Sequence, residues 1–266
     1  MTARYGPAPG EGPARRYGPV GRVAVLSDVH ANVPALAAVL AEPDVAGADL
    51  VVFCGDLTWG AEPARTVELV AGLGERAVCL RGNAERILLE LARRTRAPAR
   101  PREEWMVANH SPVEVEFVAG FAFSAVVTVA GLGPVHFCHG SPRSDHELVT
   151  PATPDERVAA LAADIEETVL VGGHLHVQFD REVAGRRSAN PGSVGLPYHH
   201  GPPGTAYWAL LGPDIALRRT GYDVDESIER GAASGDPLAD VIAGMLTEPQ
   251  TPEEIIEEAQ RLEFSD

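Results

Sequence analysis

Seven side chains able to donate to a metal are spread along this chain in short blocks, most of them flanked by glycine. The first block is Ser27-Asp28-Val29-His30, and the second is Gly55-Asp56. Gly82-Asn83 and His139-Gly140 follow, and the last is Gly172-Gly173-His174-Leu175-His176. In extended backbone, side chains two apart point to the same side, so Asp28 and His30 can bring an oxygen and a nitrogen to one point. Two Asp, one Asn and four His are too many for one ion and suit two. A pair of ions roughly 3.5–4 Å apart needs a shared carboxylate and activates water between them. The donors are nitrogen and oxygen only, which favours Mn, Fe, Zn, Ni or Co over a closed structural zinc site. Manganese is placed first among them.

The elements that must position these residues follow a rhythm. Each block closes an apolar run that reads as a strand: Arg22–Ser27, Asp49–Asp56 and Arg76–Asn83, with helices after the first three blocks. Such alternation argues for βαβ units and a parallel sheet. Residues 94–112, rich in Pro and Arg, read as an excursion over the sheet. Val113–Val118, Phe121–Ala130 and Gly133–Gly140 then read as strands of a second, mixed or antiparallel sheet. A helix is predicted near 154–166, and hairpins are predicted with turns at Gly185 and at Gly212-Pro213. Residues 1–20 read as a disordered tail, 21–222 as one domain, and 223–266 as acidic helices packed on its outside. In open α/β sheets a site lies beyond the carboxyl ends of the strands, where these blocks fall.

The order Asp-x-His, Gly-Asp, Gly-Asn, His-Gly, Gly-His-x-His resembles the calcineurin-like metallophosphoesterase superfamily. The added Asn190-Pro191-Gly192-Ser193-Val194-Gly195 is similar to its compact bacterial and archaeal phosphodiesterase branch. The resemblance spans about residues 22–222 and implies an α/β fold of two packed mixed β-sheets flanked by helices, in four layers. It implies that Asp28, His30 and His176 hold one divalent metal, that Asn83, His139 and His174 hold the other, and that Asp56 bridges them. Asp56, Asn83 and His139 would then be the catalytic centre. The implied reaction is hydrolysis of a phosphate ester, a small phosphodiester or nucleotide, by a metal-bridging hydroxide. The chain departs from the pattern at Ala84, where many members carry a His that protonates the leaving oxygen. Alanine cannot do so, which points to good leaving groups or to another donor, with His199 and His200 as candidates.

Other residues carry two readings. Asn32 reads as a phosphate contact or as the N-cap of the next helix, and Trp59 as a pocket wall or a packed loop aromatic. Ser141 and Ser193 read as turn residues, and Glu85 and Arg86 as helix surface. His110 and His146 read as surface or loop residues. His136, three residues before His139 in a strand, should face the other way. Cys54, Cys79 and Cys138, an odd number at irregular spacing, form no disulfide framework and read as core.

Composition narrows the function class. The chain has 266 residues, a net charge of −16, and no lysine among its 22 basic residues. So acidic a surface disfavours nucleic acid and anionic lipid as partners. No apolar run reaches membrane-spanning length, and the N-terminal stretch lacks the apolar core of a signal peptide, so the expected compartment is the cytoplasm. The expected partner is a small phosphate ester; nothing in the pattern specifies an oligomeric state. A metal-binding interaction scaffold with little catalysis is the alternative, and a protein phosphatase, which needs an open groove, is a third reading.

Overall fold

The computed structural model describes residues 5–8 and 11–262. In chain order, β1 (Arg15–Val20) and β2 (Val23–Leu26) are followed by α1 (Val33–Leu40), α2 (Pro43–Ala46) and β3 (Leu50–Phe53). Then come α3 (Pro63–Ala71), β4 (Ala77–Cys79), α4 (Asn83–Ala92), α5 (Pro101–Ala108) and α6 (Pro112–Ala119). The second half runs β5 (Ala125–Val129), β6 (Gly133–Phe137), α7 (Asp155–Leu161), β7 (Val169–Val171), β8 (Gln178–Val183) and β9 (Arg186–Pro191). It closes with β10 (Thr205–Leu211), β11 (Ile215–Gly221), α8 (Val224–Ser234), α9 (Ala239–Thr247) and α10 (Pro252–Arg261). None of these helices is long and apolar enough to cross a membrane.

The strands form two mixed sheets, ordered β11-β10-β2-β3-β4 and β1-β5-β6-β7-β9-β8. β2, β3 and β4 are parallel, as are β6, β7 and β9, while β10 and β5 run antiparallel to their neighbours β2 and β6. Strand alternation divides the core. Val23, Val25, Val52 and Val78 meet Val127, Val135, Phe137 and Val171 between the sheets. From the same β2 and β3, Ala24, Leu26, Val51 and Phe53 face outward onto Leu36 and Val39 of α1 and Leu88 of α4. On the far side of the other sheet, Leu175, Val177 and Phe179 receive Ala259 and Ile255 of α10. The expected architecture of two packed mixed sheets with helices outside is therefore the observed one.

Three local expectations need correction. Arg15–Val20 is not tail but strand β1, parallel to β5, with Arg15 opposite Ala125 and Tyr17 opposite Val127. Residues 1–4, 9 and 10 lie outside the described residues. Val113–Val118 is not a strand but most of α6. Ser111 caps that helix, accepting from Val113 N at 3.2 Å, and Glu114 reaches back to Ser111 N at 2.6 Å, with Pro112 opening the first turn. These cap interactions and packing on α4 and α3 outweigh the Val-Glu alternation that suggested a strand. The excursion at 94–112 contains a helix, α5, over Pro101–Ala108, and the C-terminal part is helical as expected, in three helices.

Candidate metal centre

The ligand-type residues sit in loops at the ends of β2, β3, β4, β6 and β7, and these loops brace one another through their backbones. Asp28 N donates to Gly55 O at 3.0 Å, His30 N to Asp56 O at 2.9 Å, and Gly173 N to His139 O at 2.7 Å. The Asn190–Gly195 block ties the set together. Asn190 donates to Gly173 O, and Ser193 Oγ to Asp28 O, both at 2.7 Å. The ligand positions also carry backbone that side chains rarely adopt: Asp28, His30, Asp56, His174 and His176 have φ of 53°, 48°, 52°, 66° and 61°. Left-handed backbone at five non-glycine residues is held by surrounding structure and concentrates at functional sites.

The side chains converge in two groups, Asp28, His30 and His176, and Asp56, His139 and His174. In the first, His30 Nε2 lies 3.3 Å from His176 Nε2, and Asp28 Oδ1 lies 3.1 Å from His176 Nε2. In the second, His139 Nε2 lies 3.1 Å from His174 Nδ1 and 2.9 Å from Asn83 Oδ1, which places Asn83 in that group. Asp56 faces both, with Oδ1 3.4 Å from His139 Nε2 and Oδ2 3.8 Å from His30 Nε2.

All four imidazoles have their other ring nitrogen against a main-chain carbonyl. His30 Nδ1 faces Trp59 O at 3.3 Å, His139 Nδ1 faces Cys54 O at 2.7 Å, and His176 Nδ1 faces Leu196 O at 2.6 Å. His174 Nε2 faces His146 O at 3.2 Å. A carbonyl only accepts, so each ring donates there, and the inward nitrogen of each neutral ring carries a lone pair. Two lone pairs meeting at 3.1–3.3 Å repel unless something positive lies between them. Among the described residues, buried Asp28 Oδ1 has no hydrogen-bond donor while His176 is neutral, although Oδ2 is satisfied by Ser27 Oγ and His174 N. A buried, half-orphaned carboxylate beside inward lone pairs fits divalent cations of the nitrogen-and-oxygen-loving kind.

Burial pushes His30 down to about 3, and the neighbouring His176 adds to this. Burial and His139 likewise hold His174 well below the ordinary range. Burial also opposes charge on His176 and His139, but Asp28 beside the first and Asp56 beside the second carry them above the ordinary value. Within each group, protons and a cation compete for the same lone pairs.

Gly82 shows how tightly the Asp56 loop is held. A Cβ there would stand 2.1 Å from Asp56 Oδ1 and 2.7 Å from Asp56 N. A Gly82→Ala variant is expected to fold but to bind metal about 10–100-fold more weakly, as when an outer partner of a ligand is disturbed. Metal titration alongside circular dichroism checks this.

The other candidate residues fall outside the two groups. Asn32 is the N-cap of α1: its Oδ1 accepts from Ala35 N and Ser227 Oγ, and its Nδ2 donates to Gly195 O. With both ends engaged it ties α1 to α8. Trp59 packs its ring on the helix-side core and offers the centre only its carbonyl. His199 is buried against Tyr207 and accepts from Gly201 N, and His200 is exposed and pairs with Glu253 at 2.8 Å. Their partners belong to neither group, so neither is placed as the substitute proton donor.

Several residues that matter here were read as surface. Glu85 is 1% exposed and accepts from Gly82 N, Asp56 N and Leu57 N at 2.7–2.8 Å. Arg86 is buried on Asp145. His110 is buried between Met106 O and Thr58 Oγ1. His146, by contrast, is an exposed loop residue as read, and lies beside the His174 ring, at 6.0 Å between centroids. Gly-Asn-Ala-Glu, a capping pattern with the acid at the third helical position, was the available signal for Glu85.

Residues 22–211 match the calcineurin-like phosphoesterase superfamily domain. A search of curated proteins finds no match. Among solved structures, the chain is similar to a metallophosphoesterase from Sphaerobacter thermophilus, at 23% identity and TM-score 0.66, covering 85% of this chain and 99% of that one. It is also similar to a hypothetical protein from Pyrococcus horikoshii OT3, at 18% identity and TM-score 0.72, covering 86% and 99%. At these identities the two structures speak for the fold. The family match covers most of the chain and contains all seven ligand-type residues, so the protein belongs to the calcineurin-like phosphoesterase superfamily.

Proposed function

We propose that the protein hydrolyses phosphate esters, small phosphodiesters or nucleotides, with two divalent transition-metal ions, manganese first among them. Asp28, His30 and His176 would hold one ion and Asn83, His139 and His174 the other, with Asp56 shared. The observation that carries the reading is the convergence of four imidazoles in two groups, each ring turned inward by a carbonyl behind it, beside the buried carboxylates of Asp28 and Asp56. When bound, the ions supply positive charge that acidifies water and offsets charge developing on the phosphoryl oxygens. The protein's own part is to hold seven donors rigidly through braced loops, so that little reorganisation accompanies reaction. The net charge of −16 supports a small substrate over a nucleic-acid polymer, and a cytoplasmic setting accords with the same composition.

Ala84 bears on substrate choice. Its side chain is buried and has no proton to give, while its N–H is spent on Asp56 Oδ1 at 2.9 Å. Without an acid at this position, the leaving oxygen must depart as an anion. Aryl phosphodiesters are therefore expected to be hydrolysed about 10²–10⁴-fold faster than simple alkyl ones. Equal rates would show that another group supplies the proton.

The direct test strips the chain of metal and reloads it with Mn, Ni, Zn or Mg against a panel of phosphate mono- and diesters. Turnover that depends on the transition metal is the expected result. No turnover of any ester with any metal would overturn the reading and leave a metal-binding scaffold.

A further inference from the structure

A pocket of about 300 Å³ opens directly beside the candidate ligands. One wall is His174 itself. Another is Tyr198, whose ring stacks on His176 with centroids 5.4 Å apart and planes 26° from parallel. The floor and far wall are apolar: Leu148 and Leu175, then Ile255 and Ala259 of α10. Glu258 stands at the exposed rim. Helix α10 lies outside the region that matches the family, residues 22–211.

We infer that this pocket receives one planar aromatic group of the substrate, an aryl or nucleobase ring joined to the phosphate held at the ligand groups. The inference rests on the phosphoesterase reading for the phosphate and adds the identity of the organic arm. Three features select the occupant. The volume is at the lower end of ligand pockets, room for a ring system and not for a polymer. An aliphatic floor with a tyrosine wall rewards a flat apolar group by burial and ring contact. The rim carboxylate of Glu258 disfavours a second phosphate on that arm. An aryl arm also suits the lack of a proton donor at Ala84, because aryl oxygens leave readily as anions, whereas a nucleobase, joined to the phosphate through its sugar, gains only from the pocket.

The test is equilibrium binding to the full, manganese-loaded chain by calorimetry, with phenylphosphonate and methylphosphonate as probes. Both carry the same anionic head, so the difference reads the ring alone. Phenylphosphonate is expected to bind about tenfold more tightly. Ile255→Trp, which fills the pocket from α10 at a distance in sequence from every ligand, is expected to remove that preference. Tyr198→Leu serves the same purpose should the tryptophan prevent folding, with a smaller preference expected. Equal affinity for the two probes, no binding of either, or a preference indifferent to both variants would overturn the inference. A parallel assay with phenyl and methyl p-nitrophenyl phosphate, which share one leaving group, separates the two readings. Ring-dependent binding without hydrolysis would sink the hydrolase and leave the aromatic pocket standing. Hydrolysis without ring-dependent binding would do the reverse.

Discussion

Asp56→Asn is expected to lower the bound metal from two ions to one or fewer and to reduce ester hydrolysis by about 10³-fold or more, the scale seen when a group serving transition-state charge is removed. Asp56 is the carboxylate that faces both groups, Oδ1 toward His139 and Oδ2 toward His30. Asparagine keeps the shape and changes the chemistry. Ala84 N donates to Oδ1, so the amide oxygen of the variant is held at that position. The NH₂ then takes the place of Oδ2 and turns two hydrogens toward His30, where a cation needs a lone pair. Loss should therefore begin at the group of Asp28, His30 and His176. Metal analysis after dialysis, together with initial rates, reads both effects. Asp225→Asn, an exposed position in the first turn of α8, is the control expected to change neither. An Asp56→Asn protein with two ions and unreduced rates would contradict the shared-carboxylate arrangement.

The seven ligand-type residues were legible because each follows a strand end, and strand ends show in sequence as apolar runs, most of them closed by glycine. Pairwise convergence was legible only through their order along the chain. What places Asn83, after β4, beside His139, after β6, or His176, after β7, beside Asp28, after β2, is the packing of one sheet on the other, and that packing leaves no local mark in the sequence. The misses have a common cause. β1 reads as tail because Arg15-Arg16-Tyr17-Gly18-Pro19 has little apolar content, yet an edge strand needs only one hydrogen-bonded neighbour and tolerates Pro and charge. α6 reads as strand because Val-Glu alternation fits both periods over six residues, and the Ser-Pro-x-Glu start decided for helix. His199 and His200 were attractive for their chemistry and nearness in sequence to Gly195, but the chain bends at residues 194–196 and their rings find Tyr207 and Glu253.

Glu85 is the instructive miss, and it carries the largest expected effect on stability. Three backbone N–H groups, from Gly82, Asp56 and Leu57, point at its carboxylate in a buried setting. Burial and the nearby Asp56 push this carboxyl up to about 7, against the pull of the N–H groups it accepts from. The side chain thus holds together the loops that present Asp56 and Asn83 without itself belonging to either group. Glu85→Ala would strand all three donors away from water. At about 1–3 kcal/mol for each unsatisfied group, with partial relaxation, the expected loss is roughly 3–5 kcal/mol. For a chain of this size that corresponds to a Tm lower by roughly 6–15 °C. Glu85→Gln keeps one accepting oxygen but turns an NH₂ against a remaining N–H, so its Tm should fall between the two. Unfolding is to be followed in chelator, because bound metal would otherwise add its own stabilisation to the native state. Metal affinity measured separately should drop in both variants although no ligand has been changed. An alanine variant melting within about 2 °C of the parent, a shift worth under 1 kcal/mol, would mean that water replaces the carboxylate. The Asp56 loop would then owe its shape to its neighbours' backbones alone.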